Sequence, residues 1–281
     1  MKKILAMVLA MILVICSAAL AEEINVISRE DGSGTRGAFI ELFGIEQKDA
    51  DGNKVDYTTD DADITNSTSV MMTSVAGNPA AIGYISLGSL NETVKALEID
   101  GVAASVENVK TGDYKVVRPF NIATRSELSE AAQAFIAFIL SADGQAVVEA
   151  NGYIAAAEGA EAFAGSDVSG KVVVAGSSSV TPVMEKLREA YLALNPNAEI
   201  EVQQSDSTAG MTAAIDGVCD IGMASRAVKD SELEAGLVST TIAMDGIAVI
   251  VSNDNATEGL TADQVRAIYM GEITDWSEIN G

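Results

Sequence analysis

The sequence predicts an α/β protein built on a mainly parallel sheet. Apolar runs alternate with segments of helical periodicity between residues 171 and 224, and this alternation of strands with helices predicts the parallel sheet. The chain has 281 residues, of which 48% are hydrophobic, so it can bury a large core in one or two domains. In such sheets ligands bind beyond the carboxyl ends of the strands, at helix N-termini.

The first half of the chain begins with a short strand and a helix. Residues 24–27 form the predicted strand, and apolar side chains at helical spacing over residues 38–43 predict the helix. Residues 46–63 are rich in Asp, Gly, Asn and Lys, which indicates a surface excursion. The further elements predicted before residue 155 are a helix beginning at 65–67, strands at 81–87 and 116–120, and helices at 130–140 and 145–150.

Residues 155–170 are small and polar, and we interpret them as a linker that precedes a βαβαβ pattern. Thr181 is predicted to cap the first helix of this pattern, with Pro182 at its first position. Near the end of the chain, Thr261 and Gln264 form a capping box. The elements predicted after the linker are strands at 171–175, 199–204, 220–224 and 242–251, and helices at 182–194, 208–215 and 262–270.

Residues 1–21 are predicted to be an export signal. Two lysines precede an apolar run at 4–15, and an Ala-Leu-Ala cleavage site ends at Ala21. Cys16 allows the alternative of a lipid-anchored lipoprotein, and both alternatives place the mature chain outside the cytoplasm. Cleavage after Ala21 leaves Cys219 as the only cysteine, so we expect no intrachain disulfide and a buried, inert thiol.

Composition and charge exclude several classes of function. The 41 acidic and 17 basic residues give a net charge of −24, which repels nucleic acid and anionic membranes. An anion site in this chain must therefore use local, buried donors. The chain has no histidine, which excludes Ser-His-Asp and Cys-His nucleophile arrangements and His-based zinc sites. The Asp-rich stretch 60–63 indicates a solvated surface loop rather than a metal site.

The segment 28–36 is the strongest candidate for a functional loop. It is predicted to join a strand to a helix through a glycine-rich turn that carries two hydroxyls and two guanidinium groups. Such a turn is either an anion site or an ordinary βα turn with a solvated arginine. Three hydroxyl-bearing strand ends follow in the second half, at 177–179, 205–208 and 225, which favours convergence on one oxyanion.

These residues resemble the phosphate-binding proteins of ABC phosphate importers, the PstS-like family. Residues 29–35 are similar to that family's Arg-x-Asp-Gly-Ser-Gly-Thr loop, and 176–182, 203–210 and 220–226 are similar to its other binding loops. The resemblance covers nearly all of residues 24–281, and it implies no catalytic residue, metal or cofactor. The phosphate ligands that it implies are Arg29, Ser33, Gly34 and Thr35 on one side and Ser178, Ser179, Ser207 and Ser225 on the other.

The same resemblance suggests roles for neighbouring residues. Asp31 is expected to hold the side chain of Arg29 in place. Arg36 is either a charge on the helix surface or a further phosphate contact, and we favour the surface. Some family members carry Asp at the position of Ser225, where it accepts a hydrogen bond from protonated phosphate and repels sulfate. That means of discrimination is absent here.

The order of the two halves departs from the family. The segment 171–281 normally precedes the segment 24–165, so the chain resembles a circular permutation joined through residues 155–170. The alternative is a fragment of a longer tandem protein.

The resemblance implies a two-lobed, periplasmic-binding-protein fold in permuted order. We expect one discontinuous lobe from residues 22–85 plus 252–281 and one continuous lobe from residues 86–251. Closure of the lobes would desolvate the anion and strengthen each charge-assisted bond. The expected function is capture of inorganic phosphate by a monomer and its delivery to the membrane subunits of an ABC permease. The alternatives are an oxyanion sensor or surface module without transport, and an enzyme acting on phosphoesters, which the missing histidine disfavours.

Overall fold

The computed structural model describes residues 23–156 and 159–280, so the predicted export signal and Cys16 lie outside the described residues. The strands are β1 Asn25–Arg29, β2 Glu46–Lys48, β3 Lys54–Asp56, β4 Asp63–Thr65, β5 Ala81–Ser86, β6 Val94–Ala96, β7 Glu98–Ile99, β8 Val117–Thr124, β9 Ile154–Ala155, β10 Gly170–Ser177, β11 Ala198–Ser205, β12 Ile221–Ala224, β13 Val238–Ser252 and β14 Gly259–Leu260. The helices are α1 Gly34–Leu42, α2 Thr68–Ala76, α3 Val106–Thr111, α4 Glu130–Leu140, α5 Ala142–Ala150, α6 Thr181–Leu194, α7 Ser207–Ile215, α8 Asp230–Glu234, α9 Ala262–Tyr269 and α10 Ser277–Asn280, with a 3-10 turn at Leu87–Ser89.

Separate hydrophobic cores divide the described chain into two lobes. The core of the first lobe draws on residues 24–116 and 247–276, whereas the cores of the second lobe draw on residues 120–243. The chain therefore crosses between the lobes twice, near the start of β8 and in the second half of β13. The boundaries predicted from the sequence, after residue 85 and before residue 252, differ from this division. They fail because residues 87–116 and the end of β13 pack into the first core.

The main sheet runs through both lobes in the order β11-β10-β12-β8-β13-β5-β1-β4. Its outer pairs are parallel in each lobe, as predicted. Its three central pairs, β12–β8, β8–β13 and β13–β5, are antiparallel, which the sequence pattern did not predict. The difference follows from connectivity, since β8 carries the chain into the second lobe and β13 carries it back in the opposite direction.

The predicted helices are confirmed in type, and one of the predicted caps is wrong. α4 spans the predicted residues, and Thr261 and Gln264 form the predicted capping box of α9. In α6, however, Thr181 is already helical and Val180 is the N-cap. The hydroxyl of Thr181 donates to the carbonyl of Ser177 at 3.0 Å instead of accepting a helix N–H.

The two ends of the described chain lie side by side on the first lobe. The backbone N–H of Ile24 donates to the carbonyl of Thr274 at 2.8 Å, and Glu23 pairs with Asp275 in an isolated antiparallel bridge. The indole N–H of Trp276 donates to the carbonyl of Ala80 at 2.9 Å, which fixes the last turn beside β5. Neighbouring ends at the surface are the geometry that a rearranged chain order requires.

No single helix among the described residues is long and apolar enough to cross a membrane. α4 and α5 together have the length and composition for a span, but their axes are bent by 61°.

Cys219 is buried in the second lobe, with 3% of its surface exposed, as predicted. Burial raises the pKa of its thiol to about 11, so at pH 8 roughly a thousandth of it is ionised. We therefore expect iodoacetamide at pH 8 to modify native Cys219 at least about a hundredfold more slowly than the urea-unfolded chain. Mass spectrometry of the peptide that contains Cys219 measures both rates. Equal rates would contradict the burial of the thiol.

Candidate functional site

The carboxyl ends of strands from both lobes meet in one cluster of buried hydroxyl groups. The first lobe contributes the start of α1 and the start of α2, and the second lobe contributes the turns after β10, β11 and β12. Each hydroxyl-bearing residue of the cluster has at most 4% of its surface exposed. The members of this hydroxyl cluster are Thr35, Thr68, Ser178, Ser179, Ser207 and Ser225.

Hydrogen bonds within the hydroxyl cluster join one lobe to the other. The Oγ1 of Thr35 lies 2.9 Å from the Oγ of Ser179 and 3.4 Å from the Oγ of Ser225. The Oγ1 of Thr68 lies 3.1 Å from the Oγ of Ser179 and 3.4 Å from the Oγ of Ser178. The predicted residues Thr35, Ser178, Ser179 and Ser225 are thus brought together, and the lobes are in direct contact at this point.

Four helices point their N-terminal ends at the cluster. Thr35 lies in the first turn of α1, Thr68 is the first residue of α2, Ser179 precedes α6, and Ser207 opens α7. Helix N-termini carry partial positive charge and free N–H groups, so they favour an anion. This arrangement supplies the local donors that a chain of net charge −24 needs for an anion site.

Arg29 brings a positive charge to the cluster, and its side chain is almost fully buried, with 2% exposed. Its Nε and Nη2 donate to the two carboxylate oxygens of Glu30 at 2.9 and 2.8 Å. Nη2 also donates across the cleft to the Oγ of Ser178 at 3.1 Å. Nη1 is buried and has no hydrogen-bond partner among the described residues. A buried guanidinium N–H without a partner is costly, so this atom is a candidate donor to a bound acceptor.

Glu30, and not the predicted Asp31, holds the side chain of Arg29. The side chain of Asp31 is 97% exposed, and its Oδ1 accepts from the Nη1 of Arg36 at 2.8 Å. The prediction fails because Asp31 points to solvent while Arg29 points into the cleft. Arg36 is not a simple surface charge either: it also pairs with Asp56 at 2.9 Å, and its Nη1 donates to the carbonyl of Arg29 at 2.8 Å.

Ser33 and Gly34 shape the loop that carries Thr35. Ser33 is the N-cap of α1, where its Oγ accepts from the backbone N–H of Arg36 at 3.3 Å. Gly34 lies so close to the second lobe that a Cβ there would collide with the Oγ of Ser207 and stand 2.9 Å from the Oγ of Ser225. Ser207 in turn accepts from the backbone N–H of Ser225 at 3.1 Å.

Sequence reasoning missed Thr68, Arg118 and Asp245. Arg118 is 2% exposed, and its Nη1 donates to the Oγ1 of Thr35 at 2.6 Å and to the carbonyl of Ser225 at 3.0 Å. Its Nε and Nη2 donate to the Oδ2 of Asp245 at 3.3 and 3.1 Å. Burial raises the pKa of Asp245 in spite of this cation beside it. The sequence signal that could have identified Arg118 and Asp245 is that each is the one charged residue in an otherwise apolar predicted strand, at 116–120 and 242–251.

Comparisons with known proteins point to one family. A family model described as a PBP superfamily domain matches residues 17–143 and 161–281. Phosphate-binding protein PstS 2 of Streptococcus agalactiae serotype V is 57% identical over 258 residues, which cover 92% of this chain and 88% of that protein. Phosphate-binding protein PstS of Staphylococcus haemolyticus is 36% identical over 121 residues, which cover 41% of this chain and 38% of that protein.

A solved structure of high sequence identity matches over almost the whole chain. The crystal structure of a phosphate-binding protein of a phosphate ABC transporter from Streptococcus pneumoniae TIGR4 is 47% identical, with a TM-score of 0.72. The match covers 92% of this chain and 99% of that one. The two-lobed α/β fold predicted from the sequence is thereby confirmed. The chain belongs to the PstS family of the periplasmic-binding-protein superfamily.

Proposed function

We propose that this chain captures inorganic phosphate between its lobes, outside the cytoplasm, and delivers it to the membrane subunits of an ABC importer. The observation that carries the proposal is the guanidinium of Arg29, whose buried Nη1 has no partner among the described residues and whose Nη2 donates to Ser178 of the hydroxyl cluster. The names of the PstS 2 relative and of the solved structure, both phosphate-binding proteins, support phosphate as the ligand. We propose further that the protein acts as a monomer and not as an enzyme.

The proposed phosphate ligands are the eight residues predicted from the sequence. Arg29 supplies charge-assisted N–H donors, and the hydroxyl cluster supplies groups that donate to the anion or accept from its protonated oxygens. Ser33 caps α1 through the lone pair of its oxygen, so its hydroxyl proton is free to donate. The set is Arg29, Ser33, Gly34, Thr35, Ser178, Ser179, Ser207 and Ser225.

Titration calorimetry tests the proposed function. The protein is unfolded and refolded to strip bound anion and then titrated with phosphate, with sulfate as the control. We expect a dissociation constant of about 1 μM or below for phosphate, a range that natural ligand sites reach. A folded protein that binds neither anion would overturn the proposal. Tighter binding of sulfate than of phosphate would overturn it as well and would identify sulfate as the ligand.

Gly34 offers a test of the contact between the lobes. We expect Gly34→Ala to weaken phosphate binding by roughly tenfold to hundredfold, because the added Cβ collides with the hydroxyl of Ser207 when the lobes meet. Gly37→Ala is the matched control in the same helix, since its Cβ would meet only Arg226 at an ordinary 3.9 Å. Calorimetry on both variants measures the difference. Equal affinities for the two variants would contradict the placement of Gly34.

We propose that the halves of the chain stand in circularly permuted order relative to PstS proteins such as that of Staphylococcus haemolyticus, whereas PstS 2 of Streptococcus agalactiae has the same order as this chain. Two observations support this. The ends of the described chain lie side by side at Ile24 and Thr274. The match to the PstS of Staphylococcus haemolyticus extends over only 41% of the chain, as expected where a collinear comparison can hold only one of two exchanged halves.

Reopening the chain tests the permutation. A variant that joins residue 281 to residue 23 through a short flexible linker and begins within the 155–170 segment should fold and bind phosphate as the natural chain does. A variant that begins inside β10 is the control, because its new ends would interrupt a paired strand. Failure of the first variant to fold would contradict the permutation.

A further inference from the structure

Two buried arginines contact the hydroxyl cluster, and each is held by a carboxylate. Arg29 uses Nε and Nη2 to bind the carboxylate of Glu30, and Arg118 uses Nε and Nη2 to bind the carboxylate of Asp245. In both residues Nη1 is therefore left without a carboxylate partner: that of Arg29 has no partner among the described residues, and that of Arg118 donates to Thr35. A carboxylate on the Nε edge fixes the plane of a guanidinium and hence the direction of the remaining nitrogen.

The contact from Arg118 decides which way the hydroxyl of Thr35 points. A guanidinium can only donate, so the Oγ1 of Thr35 must accept from the Nη1 of Arg118 at 2.6 Å. The single hydroxyl proton of Thr35 is thereby directed away from Arg118, toward the side of Oγ1 where Ser179 and Ser225 lie. A serine or threonine hydroxyl left to itself can rotate to donate or accept, but this one is held as a donor that faces the other hydroxyls.

The cost of burying this pair indicates a role beyond packing. Both side chains are at most 1% exposed, and removing a charge pair from water has a desolvation penalty that the attraction between the charges does not always repay. Asp245 lies in the part of β13 that crosses between the lobes, and Arg118 lies near the start of β8, the other crossing. The pair thus stands at the hinge and reaches from there to a residue of the first lobe.

We propose that Arg118 is a positioning residue for the anion, which it serves by holding Thr35 as a hydrogen-bond donor, and that Asp245 orients Arg118. The inference rests on the proposed function, because it concerns the same cleft. It assigns the second buried arginine a part in binding that acts through Thr35. Arg118 thereby makes the hydroxyl cluster prefer a ligand oxygen that accepts a hydrogen bond. Every unprotonated oxygen of phosphate is such an acceptor.

The test removes the pair without leaving a buried charge. The variant Arg118→Met/Asp245→Asn should bind phosphate roughly tenfold to hundredfold more weakly than the natural protein. The matched control is Arg226→Met/Glu232→Gln, which neutralises a second, largely buried pair whose closest contact is 2.7 Å. The control should change the affinity by less than about threefold. Unchanged affinity in the first variant would overturn the inference.

A second background separates positioning from a general structural effect. In a Thr35→Val protein there is no hydroxyl for Arg118 to orient, so adding Arg118→Met/Asp245→Asn should cost less than about threefold. An equal loss in both backgrounds would overturn the inference. If the double variant does not fold, Arg118→Lys serves instead, because lysine lacks the fork that reaches Asp245 and Thr35 together. Full affinity in Arg118→Lys would overturn the inference.

The natural protein is titrated with phosphate in every series. If the natural protein binds phosphate and the Arg118 variants bind it with the same affinity, the inference fails and the proposed function stands. If the natural protein does not bind phosphate, both fail.

Discussion

Replacing Arg29 by glutamine is expected to weaken phosphate binding by roughly a hundredfold or more while the protein stays folded. The change removes the buried cation that contacts the hydroxyl cluster through Ser178, and charge-assisted bonds to a buried anion are worth about 2 to 5 kcal/mol when one partner is truncated. The partner that is left behind, Glu30, has a side chain that is 22% exposed, so water can solvate its charge. Calorimetry measures the affinity, and thermal melting in the absence of phosphate measures the fold.

Glu30→Gln is the matched control for Arg29. Glutamine keeps an acceptor beside the guanidinium and removes the negative charge next to the site, so we expect phosphate affinity to stay equal or to rise by a few-fold. The contrast between the two variants isolates the positive charge of Arg29. If Arg29→Gln bound phosphate as tightly as the natural protein, the anion would have to lie elsewhere.

Replacing Phe39 by alanine is expected to lower the free energy of unfolding by about 3 to 5 kcal/mol, the usual cost of truncating a fully buried phenylalanine. The Phe39 ring is 0% exposed and stacks on the ring of Tyr84, with centroids 3.9 Å apart. It also packs against Tyr269 at 4.7 Å and Phe43 at 4.8 Å. Urea denaturation followed by the single tryptophan, Trp276, which lies in the same lobe, measures the change.

Phe163→Ala is the control for Phe39. Phe163 packs against Phe138 and Tyr191 in the second lobe, but it is only partly buried. We expect its loss to cost about 1 to 2 kcal/mol, in proportion to the smaller apolar area that it removes from water. Equal costs for the two variants would contradict the description of the first core.

The aromatic group around Phe39 also connects the core to the site. The hydroxyl of Tyr84 lies 2.9 Å from the Oγ of Ser28 and accepts from the backbone N–H of Arg29 at 3.2 Å. Burial raises the pKa of Tyr84 to about 12, so this hydroxyl stays protonated near neutral pH. The core of the first lobe therefore fixes the end of β1, from which Arg29 extends into the cleft.

The sequence by itself determined the features that depend on neighbouring residues. Apolar periodicity predicted α4 to the residue, and the capping box placed the start of α9. The motif from Arg29 to Thr35 and the serines at the strand ends identified most of the hydroxyl cluster. Such signals are readable because helix periods, caps and βα turns are local, and parallel strands must bring their carboxyl ends to one edge.

Only the tertiary structure decided which charged groups pair and where the lobes divide. Both Glu30 and Asp31 lie near Arg29 in sequence, and the fold points one toward it and the other into solvent. Arg118 and Asp245 are 127 residues apart, and nothing local to either predicts their contact. The lobe boundary depends on which core residues 87–116 join. Each of these outcomes is set by packing between distant segments, and local patterns carry no information about it.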